Sequence, residues 1–257
     1  MDNTQVVVHK HFAELAEQYQ LLALTAGDYD TWVVQGLLEF SATHEDVGIK
    51  DAFHIELIIP KDYPDILPSV TEIGGRIPKE FHKHANGSLC LGAPLEVRMK
   101  FAQNPSLLGF VNEQVIPFLF SFCYSQLHGR MPFDERTHGG KGILEYYIEL
   151  FNETSEIVTV AFLKILAENN YKGHIDCLCG SRKRIRDCHG GVLRKISSYQ
   201  HQAEFLYDYI NCLLHLKKTG QKIPESLISE KLMKLVKKYE QKEDKNEKRG
   251  VALRHAA

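Results

Sequence analysis

The chain has 257 residues, 44% hydrophobic and 25% charged, a balance that lets it bury a core and excludes collagen-like or disordered classes. No apolar run approaches the roughly 18 residues of a membrane span, and Met1-Asp2-Asn3-Thr4 lacks the basic start and apolar stretch of a secretory signal, so a cytoplasmic protein without membrane attachment is expected. The net charge of −2 conceals a reversal: residues 1–170 carry 12 Lys/Arg against 23 Asp/Glu, while residues 171–257 carry 19 against 10. That reversal predicts a domain boundary near residue 170 and leaves the basic part free to meet an acidic partner.

From Gln5 to about Leu24, Val8, Phe12, Leu15, Tyr19 and Leu22 recur at intervals of three and four and predict an amphipathic helix ended by Thr25-Ala26-Gly27-Asp28. Two runs then alternate with period two. Trp32, Val34, Leu38 and Phe40 share one face, as do Phe53, Ile55, Leu57 and Ile59, which predicts an antiparallel pair linked through Ser41 to Lys50. Three prolines, Pro60, Pro64 and Pro68, exclude a central strand from the next segment, because each removes a backbone donor. Ser69 to Ile73 reads as a further short strand, and Gly74-Gly75 as a turn. After Pro105 a long helical stripe runs from Leu107 to Phe122, with Pro117 expected to kink or break it. Further helices are expected at about 141–151, 153–169, 194–218 and 225–242, and a frayed, charged end from Gln241 to Arg249. The class implied is α+β.

Six cysteines in a chain with no export signal point to metal or catalytic use rather than to disulfides. Cys177-x-Cys179 followed by Cys188-His189 supplies three thiolates and an imidazole. This is a closed tetrahedral set for a structural zinc ion, with no position left for water. Gly180-Ser181 lets backbone amides turn toward the sulfurs. The stretch Cys177-Leu178-Cys179-Gly180-Ser181-Arg182-Lys183-Arg184-Ile185-Arg186-Asp187-Cys188-His189-Gly190 resembles the SEC-C zinc knuckle, a docking or stabilising module appended to many bacterial proteins. On that resemblance, residues 171–257 form a zinc knuckle with a helical tail.

Cys90 lies in the polar loop His84-Ala85-Asn86-Gly87-Ser88-Leu89-Cys90-Leu91-Gly92, with His84 and Asn86 before it in the loop and His82 just upstream. A histidine there would take a proton, and an asparagine or loop amide would stabilise an oxyanion. A cysteine entering apolar residues also fits a packing role, so spacing alone leaves both open. Cys123 and Cys212 fall within apolar helical patterns and read as core.

The order of helix, strands, Asp62-Tyr63-Pro64-Asp65-Ile66-Leu67-Pro68, Gly87-Ser88-Leu89-Cys90-Leu91 and a helix after Asn104-Pro105 resembles the ubiquitin-conjugating fold. The resemblance covers about residues 5 to 127 and is closest to bacterial members of that superfamily found in anti-phage operons. It implies an acyltransferase in which Cys90 accepts the activated C-terminus of a ubiquitin-like modifier as a thioester from a separate activating enzyme. Cys90 then passes it to an amine, usually a lysine of a protein target. That family sets His-Pro-Asn well before its cysteine, whereas His84-Ala85-Asn86 lacks the proline and ends four residues before Cys90. His84 and Asn86 therefore read either as transfer groups or as loop organisers, and His138, on a Gly-rich loop resembling those bacterial forms, is a further candidate. The alternatives are an inactive binding module of the same fold and a nucleic-acid-binding protein. Only the basic C-terminal charge favours the latter, and no recognised reading helix is present.

Overall fold

The computed structural model describes residues 3–132, 137, 139–228, 230 and 234. The chain divides into two compact units, Met1–Glu135 and Arg136–Ala257. The residue-170 boundary suggested by charge therefore falls inside the second unit, and the two helices expected at 141–169 belong with the Cys/His segment.

In the first unit, α1 (Asn3–Gln18) buries Val8 and Leu15, the stripe expected from spacing. It stops short of Leu22. That residue opens β1 (Leu22–Ala26), an edge strand paired antiparallel with β2 (Trp32–His44). Val8, Leu15 and Leu22 continue one interval of seven, so the pattern runs through the helix end and hides a five-residue strand whose backbone is fixed by pairing with β2. β2 pairs with β3 (Val47–Ile59), and β3 with β4 (Ser69–Glu72), giving a four-stranded antiparallel meander in the order β1-β2-β3-β4. Val34 and Leu38 lie opposite Leu57 and Phe53, and the alternating residues named from sequence are buried on this face, except Trp32, which is partly buried. The expected link from Ser41 to Lys50 is itself strand, with pairing continuing to His44 and Val47.

After β4 the chain forms the cysteine loop and then α2 (Pro94–Phe101), a helix that sequence periodicity did not indicate. Pro94 occupies its first turn, where its missing N–H costs nothing. The stripe after Pro105 is one helix, Leu107–His128, capped by Ser106, whose Oγ accepts from the Gly109 N–H at 2.9 Å. The expected interruption lies just ahead of Pro117. Between α3 (Leu107–Phe110) and α4 (Ile116–His128) the segment Val111–Val115 takes a π turn, in which the Ile116 N–H reaches the Val111 carbonyl, and the proline follows in the first turn of α4. This helix is long and apolar enough to span a membrane by composition, but 67% of its apolar window is buried, as befits a core helix.

The second unit contains α5 (Gly139–Phe151) and α6 (Glu156–Ala167), both packed on α8 (Gln202–Lys218). The helix expected over 194–218 is two: α7 (Gly190–Ile196) ends where the Ser197 and Ser198 hydroxyls donate back to the Arg194 and Lys195 carbonyls. α8 restarts at a capping box in which the His201 N–H donates to Glu204 Oε2 at 2.8 Å. Of the helix expected at 225–242, only a 3-10 turn at Glu225–Leu227 lies in a continuous described stretch. The segment Gln241 to Arg249 lies outside the described residues.

Candidate functional site

The Cys/His segment begins as a small hairpin. Asp176 bridges Arg184, the Cys177 N–H donates to the Lys183 carbonyl at 2.8 Å, and the Ile185 N–H to the Ile175 carbonyl at 2.9 Å. Gly180 turns the chain at φ +74°, a conformation that side chains disfavour, and its N–H reaches back to the Cys177 carbonyl at 3.2 Å. The returning arm ends in a 3-10 turn, Ile185–Asp187, which delivers Cys188 and His189 to the same place.

The four ligand atoms of Cys177, Cys179, Cys188 and His189 all lie within 4.8 Å of one another. Cys179 Sγ stands 3.6 Å from Cys188 Sγ, and His189 Nδ1 lies 3.2 Å from Cys177 Sγ and 3.3 Å from Cys188 Sγ. Tetrahedral bonds of about 2.3 Å to sulfur and 2.0 Å to nitrogen would separate such atoms by about 3.5–3.8 Å. The donor set can hold a metal ion and is compatible with zinc. His189 Nε2 lies 3.0 Å from the Phe151 carbonyl, which accepts an N–H there and leaves Nδ1 free to face the sulfurs. Its ring also packs against Phe162, with centroids 4.5 Å apart. One ligand is thus tied to both α5 and α6.

Charge at the sulfurs is moderated locally. Burial pushes the Cys177 thiol up to about 11, while backbone N–H groups of Cys179 and His189 act in the opposite direction. Cys179 is desolvated too, but the hydroxyl and backbone amide of Ser181 hold it down at about 7. Ser181 Oγ also donates to Cys188 Sγ at 3.4 Å. Of the two amides that Gly180-Ser181 was expected to turn toward the sulfurs, that of Ser181 acts on Cys179, whereas that of Gly180 donates to the Cys177 carbonyl.

Cys90 belongs to a second hairpin. Lys83 bridges Leu89, the His84 N–H donates to the Ser88 carbonyl at 2.8 Å, and the Cys90 N–H to the His82 carbonyl at 2.7 Å. The outgoing arm is fastened to the sheet by the Leu89 N–H, which donates to the Val70 carbonyl of β4 at 2.8 Å. Asn86 works within the tip, where its Oδ1 accepts from the Ser88 N–H at 3.1 Å and the Ser88 hydroxyl at 2.7 Å. His84 is an exposed tip residue held through its backbone. His82, not His84, is opposite Cys90 in the backbone pairing. His138 lies outside the described residues.

Cys90 itself is half-buried. Burial pushes its thiol up from the ordinary value, partly opposed by the backbone N–H of Gly92. The remaining two thiols are buried in helices, as expected of core residues. Cys123 nevertheless has a polar partner, donating to Asp51 Oδ2 at 3.3 Å. Asp51 also receives two bonds from Arg76, at 2.9 and 2.7 Å, which hold its carboxyl down at about 2. The Arg76 guanidinium lies 4.0 Å over the Phe53 ring. Neither Asp51 nor Arg76 stands out in the sequence, where Asp51 simply interrupts an alternating strand. No family model matches the chain, and no curated protein or solved structure matches it either.

Proposed function

We propose that the chain is a ubiquitin-conjugating-like acyl carrier with a structural zinc knuckle, and that Cys90 is its acceptor thiol. In the reaction, Cys90 displaces the sulfur of a thioester carried by a separate activating enzyme, which leaves as a free thiol. An amine, typically a lysine of the target, then attacks the carbonyl. The amide forms and Cys90 departs with its proton regained. No redox partner or cofactor enters either step, since the energy resides in the incoming thioester.

The observation that carries this reading is the setting of Cys90. Of the six cysteines, three converge with His189 and two are buried in helices. Cys90 alone is partly accessible outside the metal cluster, on a hairpin fastened to β4 after an antiparallel meander and just ahead of α2. The element order through residue 128 supports the resemblance noted from sequence. A cytoplasmic conjugation system of the anti-phage kind is the context that resemblance implies.

Purification under denaturing, non-reducing conditions tests the reading: a thioester adduct is expected on Cys90, released by reducing agent and absent from Cys90→Ala. An adduct that persists in Cys90→Ala would overturn it. A second reading, a binding module of the same fold without catalysis, is favoured by two observations. Burial disfavours the Cys90 thiolate, and the Asn86 side-chain carbonyl is occupied by Ser88. Supplying an activating enzyme and modifier separates the readings, because a Cys90 that then forms no adduct removable by reducing agent belongs to a binding module.

A further inference from the structure

The cysteine hairpin has two arms, and they are anchored by different means. Its outgoing arm is bonded to β4 through backbone, Leu89 to Val70. Its incoming arm is held by the side chain of Lys83, the residue that bridges Leu89, while its neighbour His82 pairs with Cys90. Lys83 Nζ donates to the Ile77 carbonyl at 2.8 Å and stands 3.8 Å from Glu72 Oε2. The two side chains are 10% and 0% exposed.

Glu72 ends β4, and its carboxylate organises everything around it. Oε2 accepts from the Ile77 N–H at 3.0 Å, and Oε1 from the Arg76 N–H at 3.3 Å. The turn is built to admit this carboxylate, since a Cβ on Gly74 would sit 2.8 Å from Oε1. Gly74 therefore clears space for an acid, while Gly75 supplies the turn at φ +75°.

A buried lysine–carboxylate pair is a poor source of stability, because desolvation offsets most of the attraction and an apolar pair of similar volume is often as good. An apolar pair does not, however, fix direction. Here the ammonium has one carbonyl and one carboxylate to meet, and the carboxylate has two backbone N–H groups, so the incoming arm has a single seat. We propose that the Glu72–Lys83 ion pair is the positioning device for Cys90. It seats the hairpin so that the thiol is held half-buried and aimed, while neither residue touches the sulfur. In the acyl-carrier reading, on which this part of the inference rests, such seating would orient the thioester for amine attack. Holding the free thiol in place does not depend on that reading.

The test uses the full chain with Lys83→Met, Glu72→Gln and the double variant, which strands neither charge if a single change fails to fold. Iodoacetamide labelling of Cys90 is followed by mass spectrometry from pH 6 to 10, and amide hydrogen exchange is read at Leu89 and Cys90 with β2 and β3 as the fold control. In the double variant, Cys90 labels at least threefold faster at pH 7 and its pH profile moves to lower pH. The Leu89 and Cys90 amides exchange at least tenfold faster, while β2 and β3 keep their protection. Where the wild-type chain carries a thioester, its discharge to free lysine slows at least threefold, the opposite direction from labelling. Unchanged labelling and exchange at the hairpin would overturn the proposal, as would equal loss of protection in β2 and β3. If the wild type carries no thioester, the acyl-carrier reading falls while labelling and exchange still decide the role of the pair.

Discussion

The two cysteine hairpins use the same local device for opposite ends. Each is closed by a single bridge, Lys83 to Leu89 in one and Asp176 to Arg184 in the other, and each turns at a glycine with positive φ. In the Cys/His hairpin, three sulfurs and an imidazole converge, with backbone amides and Ser181 directed at the sulfurs. In the other hairpin one sulfur stands by itself, desolvated, with a single backbone N–H nearby. The turn delivers a cysteine to a place. The number of thiols and donors already there decides whether it becomes a ligand or a candidate nucleophile.

Removal of metal is expected to separate the two hairpins most sharply. A structural zinc ion contributes apparent binding free energy on the order of 10 kcal/mol, and that energy is folding energy. His189 reaches the Phe151 carbonyl and the Phe162 ring, so chelation, or His189→Ala, is expected to loosen α5 and α6 as well as residues 171–189. The first unit has its own core and should keep its sheet. Amide hydrogen exchange with and without chelator reads this, alongside a metal content of about one zinc per chain. Loss of protection throughout β2 and β3 would break the division.

A smaller effect is expected inside the second unit from Asp208. This side chain is fully buried, accepting from Tyr147 Oη at 2.8 Å and Gln200 Nε2 at 3.2 Å, with Oδ1 unpartnered. Burial raises its carboxyl to about 7, against the bonds from Tyr147 and Gln200. A folded-state pKa above the unfolded value means that stability is fully present below about pH 4 and declines as pH rises through about 7. The integrated loss is on the order of 4 kcal/mol. Metal release in acid acts in the opposite direction, so the comparison is with Asp208→Asn, whose unfolding midpoint should lack this part of the pH slope, which lies between about pH 4 and 7. Identical slopes would place the ionisation elsewhere.

At Cys90 the expected effect is on rate rather than on fold. A thiol pushed above its ordinary value labels slowly at neutral pH, and its rate should still be rising beyond pH 9. The thiols of the Cys/His cluster, with no metal bound, should label sooner, with Cys179 first because Ser181 holds it near 7. Residue-resolved labelling checks the order, and Cys90 labelling ahead of Cys179 would reverse the contrast drawn between the hairpins.

The smallest effect is expected from Asn86→Ala. It removes two bonds within the Cys90 tip, worth about 1 kcal/mol of local stability. Faster exchange at the Ser88 amide with unchanged exchange in β4 would mark Asn86 as a loop organiser. Unchanged Ser88 exchange would free its side chain for chemistry.

Much of this was legible in sequence where a short-range pattern meets a single physical demand. Alternation placed Val34, Leu38, Phe53, Ile55 and Leu57 on the buried face, because a strand with one covered face has no other register available. Ligand spacing brought Cys177, Cys179, Cys188 and His189 together, because a tight Cys-x-Cys-Gly turn leaves few ways to return. Where two periodicities overlap, the pattern misled: Leu22 continues the helical interval and yet opens β1. The expectation for Pro117 fared better: a π turn interrupts the α-helical pattern just ahead of it.

By itself, the sequence determined the α+β class, the β2–β3 pair, the four-residue metal set and Cys90 as the cysteine to ask about. These rest on neighbours in the chain, where covalent spacing and side-chain period suffice. Only the tertiary structure decided that α5 and α6 join the Cys/His cluster in one unit, that His82 faces Cys90 in the backbone pairing, and that Glu72 and Lys83 meet beside the hairpin. Each of those depends on segments distant along the chain being brought together by burial. Hydrophobic packing is non-directional and leaves no mark in the local pattern of a lone glutamate or lysine.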